Sequence, residues 1–329
     1  MGADEPKHVL LTGAAGFIGF HVAGALLDAG IAVTGVDNIN DYYPVTLKKD
    51  RLAHLAGRSG FRFHRLDIAD HAALKAADGA MEADAVIHLA AQAGVRYSID
   101  NPFAYAQSNL VGHLSVLELV RHSPAKPRLV YASSSSVYGD TATAPYSENE
   151  RVDHPVSLYA ATKRSNELIS ESYSKLYGLD QVGLRFFTVY GPWGRPDMAY
   201  WTFTRDIIEG RPIRVFNNGQ LERDFTWIDD IVAGVVATAL RAPASPRPLH
   251  RVYNIGNNRP VELGRFIATI EEAVGRKADK VMAPMQPGDV HSTCANIDAL
   301  KRDYGFSPST RLEDGIPRFV RWYRDYTGT

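Results

Sequence analysis

The sequence predicts an α/β fold: a doubly wound parallel sheet over residues 1–186, then a smaller C-terminal α/β lobe over 187–329, with roughly 227–255 returning to the first domain. Three observations predict it. Short β-rich runs alternate with helix-length segments through the first half. The first run opens into a glycine-rich turn followed by a helical pattern. Beyond Phe187 the alternation weakens and turn residues accumulate.

His8-Val-Leu-Leu-Thr12 reads as the first strand, Gly16 to Asp28 as a helix stopped by Gly30, and Ile31 to Val36 as the second strand. Strand, helix and strand in that order form a βαβ unit, which requires parallel strands and a right-handed crossover. Further strands are expected at Phe61 to Arg65, Ala85 to Leu89, Arg128 to Tyr131 and Gln181 to Phe186. The segments between them are long enough for helices. Gly191-Pro-Trp-Gly-Arg-Pro196 marks the start of the second lobe, whereas the apolar helix Asp229 to Leu240 and the strand Arg251 to Ile255 are expected to rejoin the first.

With 45% hydrophobic and 22% charged residues over 329 positions, the chain has the composition of a soluble globular protein. A formal net charge of -1 gives no general attraction to nucleic acid or an anionic membrane, so small-molecule partners are expected. The single cysteine, Cys294, excludes an internal disulfide framework and suits a reducing cytoplasm. The apolar stretch from Val9 to Val36 is interrupted by glycines, His21 and Asp28, and reads neither as a signal peptide nor as a membrane span. Eleven histidines show no metal-ligand spacing, and no metal is expected.

Gly13-Ala-Ala-Gly16-Phe17-Ile18-Gly19 sits between the first strand and the first helix. There the backbone must turn tightly, approach a pyrophosphate and pack on the sheet, and side chains obstruct each task. Asp37, about twenty residues on, can accept hydrogen bonds from an adenosine ribose and repel a 2'-phosphate, which favours NAD over NADP. Asn38 beside it, and Asp67 with Ile68 after the third strand, are placed to flank the adenosine.

Ser157-Leu-Tyr159-Ala-Ala-Thr-Lys163 carries a Tyr-x-x-x-Lys pair, which on a helix puts both side chains on one face. A free phenol titrates near pH ~10, so a nearby cation must favour the phenolate if Tyr159 is to act as a base. Lys163 is expected to supply that charge. In a chain with sixteen tyrosines such a pair means little alone. Its weight comes from the glycine fingerprint before it and from Ser134, Ser135 and Ser136 after the fifth strand.

Together the G-x-x-G-x-x-G spacing, the upstream serine and Tyr-x-x-x-Lys resemble the extended short-chain dehydrogenase/reductase family, with its Rossmann-type sheet, over essentially the whole chain. That resemblance implies that Leu89, Ala90, Ala91 and Gln92 run along the cofactor, with Asn109 in the supporting helix. It puts the hydroxyl that meets the reacting oxygen on Ser134, with Ser135 and Ser136 as less favoured substitutes, and lets Tyr159 and Lys163 touch cofactor as well as substrate. Related sugar-nucleotide dehydratases carry an Asp-Glu pair after that hydroxyl, and decarboxylases a Glu near it; here the positions are Ser135 and Ser136. The simplest cycle remains: oxidation at C4, rotation of the ketone, reduction of its other face.

Four blocks resemble signatures of UDP-glucuronate 4-epimerases: Asp37 to Tyr43, Ala91 to Tyr97, Phe186 to Asp197 and Gln286 to Val290. Arg195 is then expected to grip the uronate carboxylate bidentately, with Thr188 adding a bond and Phe187 beside it. Arg223 matches a phosphate contact, Arg214 and Arg96 are further candidates, and Asp289 is a candidate for the uridine ribose. Gln286 stands where many relatives have a second arginine. Open alternatives are a 4-epimerase of neutral UDP-hexoses or N-acetylhexosamines, a UDP-glucuronate decarboxylase, and a non-catalytic NAD-binding regulatory protein. The helices around Pro102 to Arg121 and Ser157 to Tyr177 resemble those through which family members form homodimers.

Overall fold

The computed structural model describes residues 6–140, 143–285 and 290–329. Seven parallel strands form the main sheet in the order β10-β6-β5-β4-β1-β2-β3: β1 His8–Thr12, β2 Ala32–Asp37, β3 Phe61–Arg65, β4 Ala85–His88, β5 Arg128–Ser134, β6 Gln181–Phe186 and β10 His250–Ile255. The order reverses next to β1, so the crevice at the carboxyl ends of β1 and β4 is the switch point where α/β sheets take ligands.

The central strands β1 and β4 are near-continuous apolar, buried runs because both sheet faces are covered there, whereas the edge strand β3 is mixed and partly exposed. In β1, Val9 and Leu11 pack toward one side, with Val22 and Leu26 of the helix Phe17–Asp28. Leu10 packs toward the other, with Val116, Leu119 and Val120 of the helix Gly112–His122. All of these are essentially fully buried. Each such side chain withdrawn from water contributes roughly 1.5–3 kcal/mol, so the sheet is the stability centre of the molecule.

β10 pairs with β6 from His250↔Gln181 to Ile255↔Phe186, and the helix Ile228–Leu240 packs on the helix Phe17–Asp28. The C-terminal segments add two small sheets. One joins β7 Thr188–Tyr190, β9 Glu222–Trp227 and β11 Pro260–Glu262; the other pairs β8 Ile213–Phe216 with β12 Lys280–Ala283. No helix among the described residues is long and apolar enough to cross a membrane.

Two elements differ from the expectation in ways that matter for the site. β5 continues three residues beyond Tyr131 and ends at Ser134, so the serine run starts on the strand itself. The stretch from Pro102 to His122 is not one α-helix: a π-helical segment, Ala106–Val111, interrupts it. The wider turn carries Asn109 inward, where it is buried. No local signal in the sequence distinguishes that turn from an ordinary one.

Candidate active site

A cleft of about 350 Å³ opens along the carboxyl ends of the central strands. Its wall brings together Gly13, Gly16, Phe17, Ile18, Gly19, Asp37, Asn38, Asp67 and Ile68 at one end. Leu89 to Gln92 line its middle, and Ser134, Ser135, Ser136, Tyr159, Lys163, Phe187, Thr188 and Arg195 the other end. These positions run from Gly13 to Arg195, and the sheet makes neighbours of motifs that are far apart in sequence.

The cofactor end is shaped by close backbone approach. Gly13 has φ +78°, and a Cβ there would lie 2.8 Å from the Ala90 backbone nitrogen. At Gly19 a Cβ would stand 2.0 Å from the Gly13 carbonyl oxygen, a clash no rotamer relieves. Gly16 caps the following helix without any side-chain cap, leaving first-turn N–H groups for an anion. Asp37 ends β2, where its carboxylate accepts from Ala15 N at 3.1 Å and Ile39 N at 2.8 Å. Burial raises its pKa. Asn38 donates to Asp67 at 2.9 Å, tying the ends of β2 and β3 together. The bare helix end, the glycine cradle and the ribose-facing acid fit an NAD dinucleotide.

Asn109 supports the middle of the cleft. Its side chain accepts from Gln92 N at 2.8 Å and donates to Gln92 O and Thr162 Oγ1, both at 3.0 Å. It thereby splints the segment after β4 to the helix bearing the Tyr/Lys pair.

That helix, Leu158–Tyr177, begins at Ser157, whose hydroxyl accepts from Ala160 N at 3.1 Å, and ends at Gly178 in the left-handed conformation. The cap places Tyr159 in the first turn and Lys163 one turn on. Burial raises the pKa of Tyr159, while the Ser134 hydroxyl and the charge of Arg195 pull it down; the Ser134 hydroxyl itself donates to Ser136 Oγ at 3.2 Å. Lys163 donates to the Ala132 carbonyl at 2.8 Å. Burial lowers the Lys163 pKa to about 8, against a smaller raising influence of Glu167.

The sign of that shift gives a test. The Lys163 charge is complete below about pH 8 and lost above it. If the ammonium serves turnover, kcat/KM falls as pH rises through that value, and a pH profile of Lys163→Met lacks the limb. An unchanged high-pH limb in Lys163→Met would detach Lys163 from the reaction.

At the far end, Arg195 donates to Asp197 from Nε at 3.0 Å and Nη2 at 2.6 Å. Arg96 and Arg214 do not line the cleft; their guanidinium carbons lie 5.5 and 5.3 Å from the Phe216 ring centre, against one shared aromatic. Arg223 is also off the cleft wall and donates to the carbonyls of Glu222 and His291. Asp289 and Gln286 lie outside the described residues.

Several lining residues were given no role from the sequence. Tyr42, Tyr43 and Lys48 also line the cleft. Lys48 is buried and donates to the Asn40 backbone oxygen at 2.8 Å and its side chain at 2.6 Å. Arg51, one turn on and fully buried, donates to Ala15 O, Tyr43 OH, Trp193 O and Gly194 O. It fastens the glycine turn to the loop that carries Arg195. Two buried cations at i and i+3 in the helix Val45–Ala56 look like an exposed face when only their charge is read.

The comparisons with known proteins agree with this geometry. The model of the NAD dependent epimerase/dehydratase family matches residues 9–256. A probable UDP-glucuronate 4-epimerase of Rhizobium meliloti is 47% identical over 328 residues, covering 95% of this chain and 96% of the relative. UDP-glucuronate 4-epimerase 2 of Arabidopsis thaliana is 47% identical over 330 residues, 97% of this chain and 76% of the relative. The crystal structure of UDP-glucuronic acid 4-epimerase from Bacillus cereus, in complex with UDP-glucuronic acid and NAD, superposes with a TM-score of 0.88 at 33% identity, covering 97% of this chain and 99% of that one. With the glycine turn, the Ser134/Tyr159/Lys163 group and the parallel sheet all in place, the chain belongs to the NAD dependent epimerase/dehydratase family, the extended branch of the short-chain dehydrogenases/reductases.

Proposed function

We propose that this protein reversibly converts UDP-glucuronate to UDP-galacturonate by transient oxidation at C4, rotation of the ketone and reduction of its opposite face. The observation that carries the reading is one cleft lined by Ser134 and Tyr159 beside a guanidinium, Arg195, with Thr188 next to it. The first pair suits an alcohol and the second suits a carboxylate. The activity for which the relatives are named supports the same reading.

In this scheme the Tyr159 phenolate takes the proton of the C4 hydroxyl, and Ser134 donates to the oxygen as it becomes a carbonyl. NAD, when bound, accepts the hydride from C4 and returns it to the other face. Arg195 and Thr188 hold the uronate carboxylate near the sugar-ring plane, out of the orbital alignment through which a β-keto acid loses carbon dioxide. Ser135 and Ser136 offer hydroxyls where an acid would promote proton chemistry at the neighbouring carbon. Arg223 is assigned to the diphosphate, with Arg214 and Arg96, which share Phe216, as further candidates. Asp289 is assigned to the uridine ribose.

The reading includes a cytoplasmic homodimer. Phe103 at 83% exposure, Leu168 at 54% and Leu176 at 68% lie on the two helical stretches expected to pair, a concentration of apolar surface that a monomer leaves in water. The test of function is incubation of the purified protein with UDP-glucuronate, first without and then with added NAD, and NMR of the sugar. UDP-galacturonate is expected. Unchanged sugar in both cases, or UDP-pentose as the main product, defeats the proposal.

A further inference from the structure

Arg195 is held along one edge before any substrate arrives. Asp197 accepts from its Nε at 3.0 Å and its Nη2 at 2.6 Å, a bidentate pair. Asp197 is held in turn: Tyr42 OH donates to its Oδ2 at 3.1 Å, and the Tyr42 ring lies 5.8 Å from the guanidinium carbon. The backbone on which Arg195 sits is equally fixed. Its N–H donates to Tyr200 OH at 3.0 Å, and the preceding Gly194 carbonyl accepts from Arg51.

Those two bonds use Nε and Nη2 and leave the Nη1 edge out, and Arg195 lines the cleft together with Tyr159, Phe187 and Thr188. Asp197 does not line it. One acid thus grips the fork from behind while the opposite edge remains for a ligand. An arginine has much rotamer freedom to lose, and a fork already fixed loses less of it when an anion binds.

Resting on the uronate reading above, we propose that Asp197 is the positioning residue for Arg195: it pins the Nε/Nη2 edge so that the Nη1 edge meets the sugar carboxylate, with Tyr42 as its brace. Tyr42 follows closely on Asp37, so the brace connects the carboxylate end of the site to the segment leaving the cofactor strand. A neutral C6 hydroxymethyl group would meet the same fork without filling it. Specificity then lies in the orientation of the arginine as well as in its presence.

The experiment is a double-mutant cycle of Asp197→Asn and Arg195→Met in full-length protein, in a Tyr159→Phe background that stops turnover. The dissociation constants of UDP-glucuronate and of UDP are read by calorimetry. Asp197→Asn is expected to weaken UDP-glucuronate roughly tenfold or more, the scale on which a misplaced binding group costs, while UDP stays within about twofold. In the Arg195→Met background the same change is expected to do nothing further, and Asp197→Glu to recover part of the loss.

Unaltered affinity in Asp197→Asn overturns the proposal. So does tighter binding, which would make Asp197 a competitor of the substrate. Additive losses in the double variant overturn it as well, since Asp197 would then act apart from Arg195. Should Asp197→Asn fail to fold, Tyr42→Phe removes only the brace and is expected to shift the same constant in the same direction; no shift counts against the proposal. Failure of the parent protein to epimerise UDP-glucuronate refutes the uronate reading by a different measurement, because the cycle reads binding alone.

Discussion

Tyr159→Phe is expected to lower kcat by about 10²–10⁴-fold while NAD content and thermal midpoint stay unchanged. The substitution removes one oxygen from a ring that keeps its edge contact with Tyr105, whose centroid lies 6.1 Å away. Packing is therefore preserved and proton transfer is lost. The phenol is poised between opposing influences: burial favours its neutral form, and Ser134 and Arg195 favour its ionised form. A cationic nicotinamide in the cleft adds to the second side. The measurement is single-turnover kinetics with UDP-glucuronate together with the absorbance of co-purified cofactor. Retained turnover would remove Tyr159 from the chemistry, and lost NAD would make its role structural.

Glu167→Ala is expected to cost roughly 3–5 kcal/mol of stability, read as a shift in the denaturant midpoint. Glu167 and Arg185 are among the most buried ionic side chains in the molecule, at 1% and 3% exposure. They bond through Arg185 Nε at 2.8 Å and Nη2 at 2.9 Å, and Ser133 donates to the same carboxylate at 2.6 Å. Removing the acid deprives a buried guanidinium of the carboxylate it is hydrogen-bonded to. Burial pushes the Glu167 pKa up, but the Arg185 hydrogen bond and charge outweigh it and hold it below the usual value. Its contribution is thus fully present above the ordinary carboxylate range and is lost as pH falls through the depressed folded value. Wild type should lose stability on acidification more steeply than the variant. Equal slopes, or a midpoint shift under about 1 kcal/mol, would contradict the assignment. The damage should also reach the site, since Ser133 precedes Ser134 and Glu167 follows Lys163 by one helical turn.

The fold was legible because its signals are local. Six of the seven main-sheet strands lie within the first 186 residues, and each is a short β-rich run bounded by turn residues. Such runs fix strand existence, and the βαβ order then fixes direction and handedness. The small C-terminal sheets were not legible. β7 and β11 are three residues long, and β8 and β12 four, lengths at which periodicity carries little information. Long-range pairing decides them. The π-helical turn that buries Asn109 escaped for the same reason: its bonds to Gln92 and Thr162 reach across the fold.

Gly13, Gly16, Gly19, Asp37, Ser134, Tyr159, Lys163 and Arg195 were nominated from the sequence because backbone conformation and spacing limit which residue types serve there, and because a family resemblance covers them. All of them line one cleft. What the chain alone determined is the parallel sheet, the dinucleotide turn and the set of reactive side chains. Tertiary structure decided how those side chains are held: Asp197 and Tyr42 behind Arg195, Ala132 against Lys163, and Arg51 between two loops. The physical reason is range. Glycine conformations and helix spacing act over a few residues, whereas the charge on a phenol and the direction of a guanidinium depend on neighbours that only the closed fold supplies.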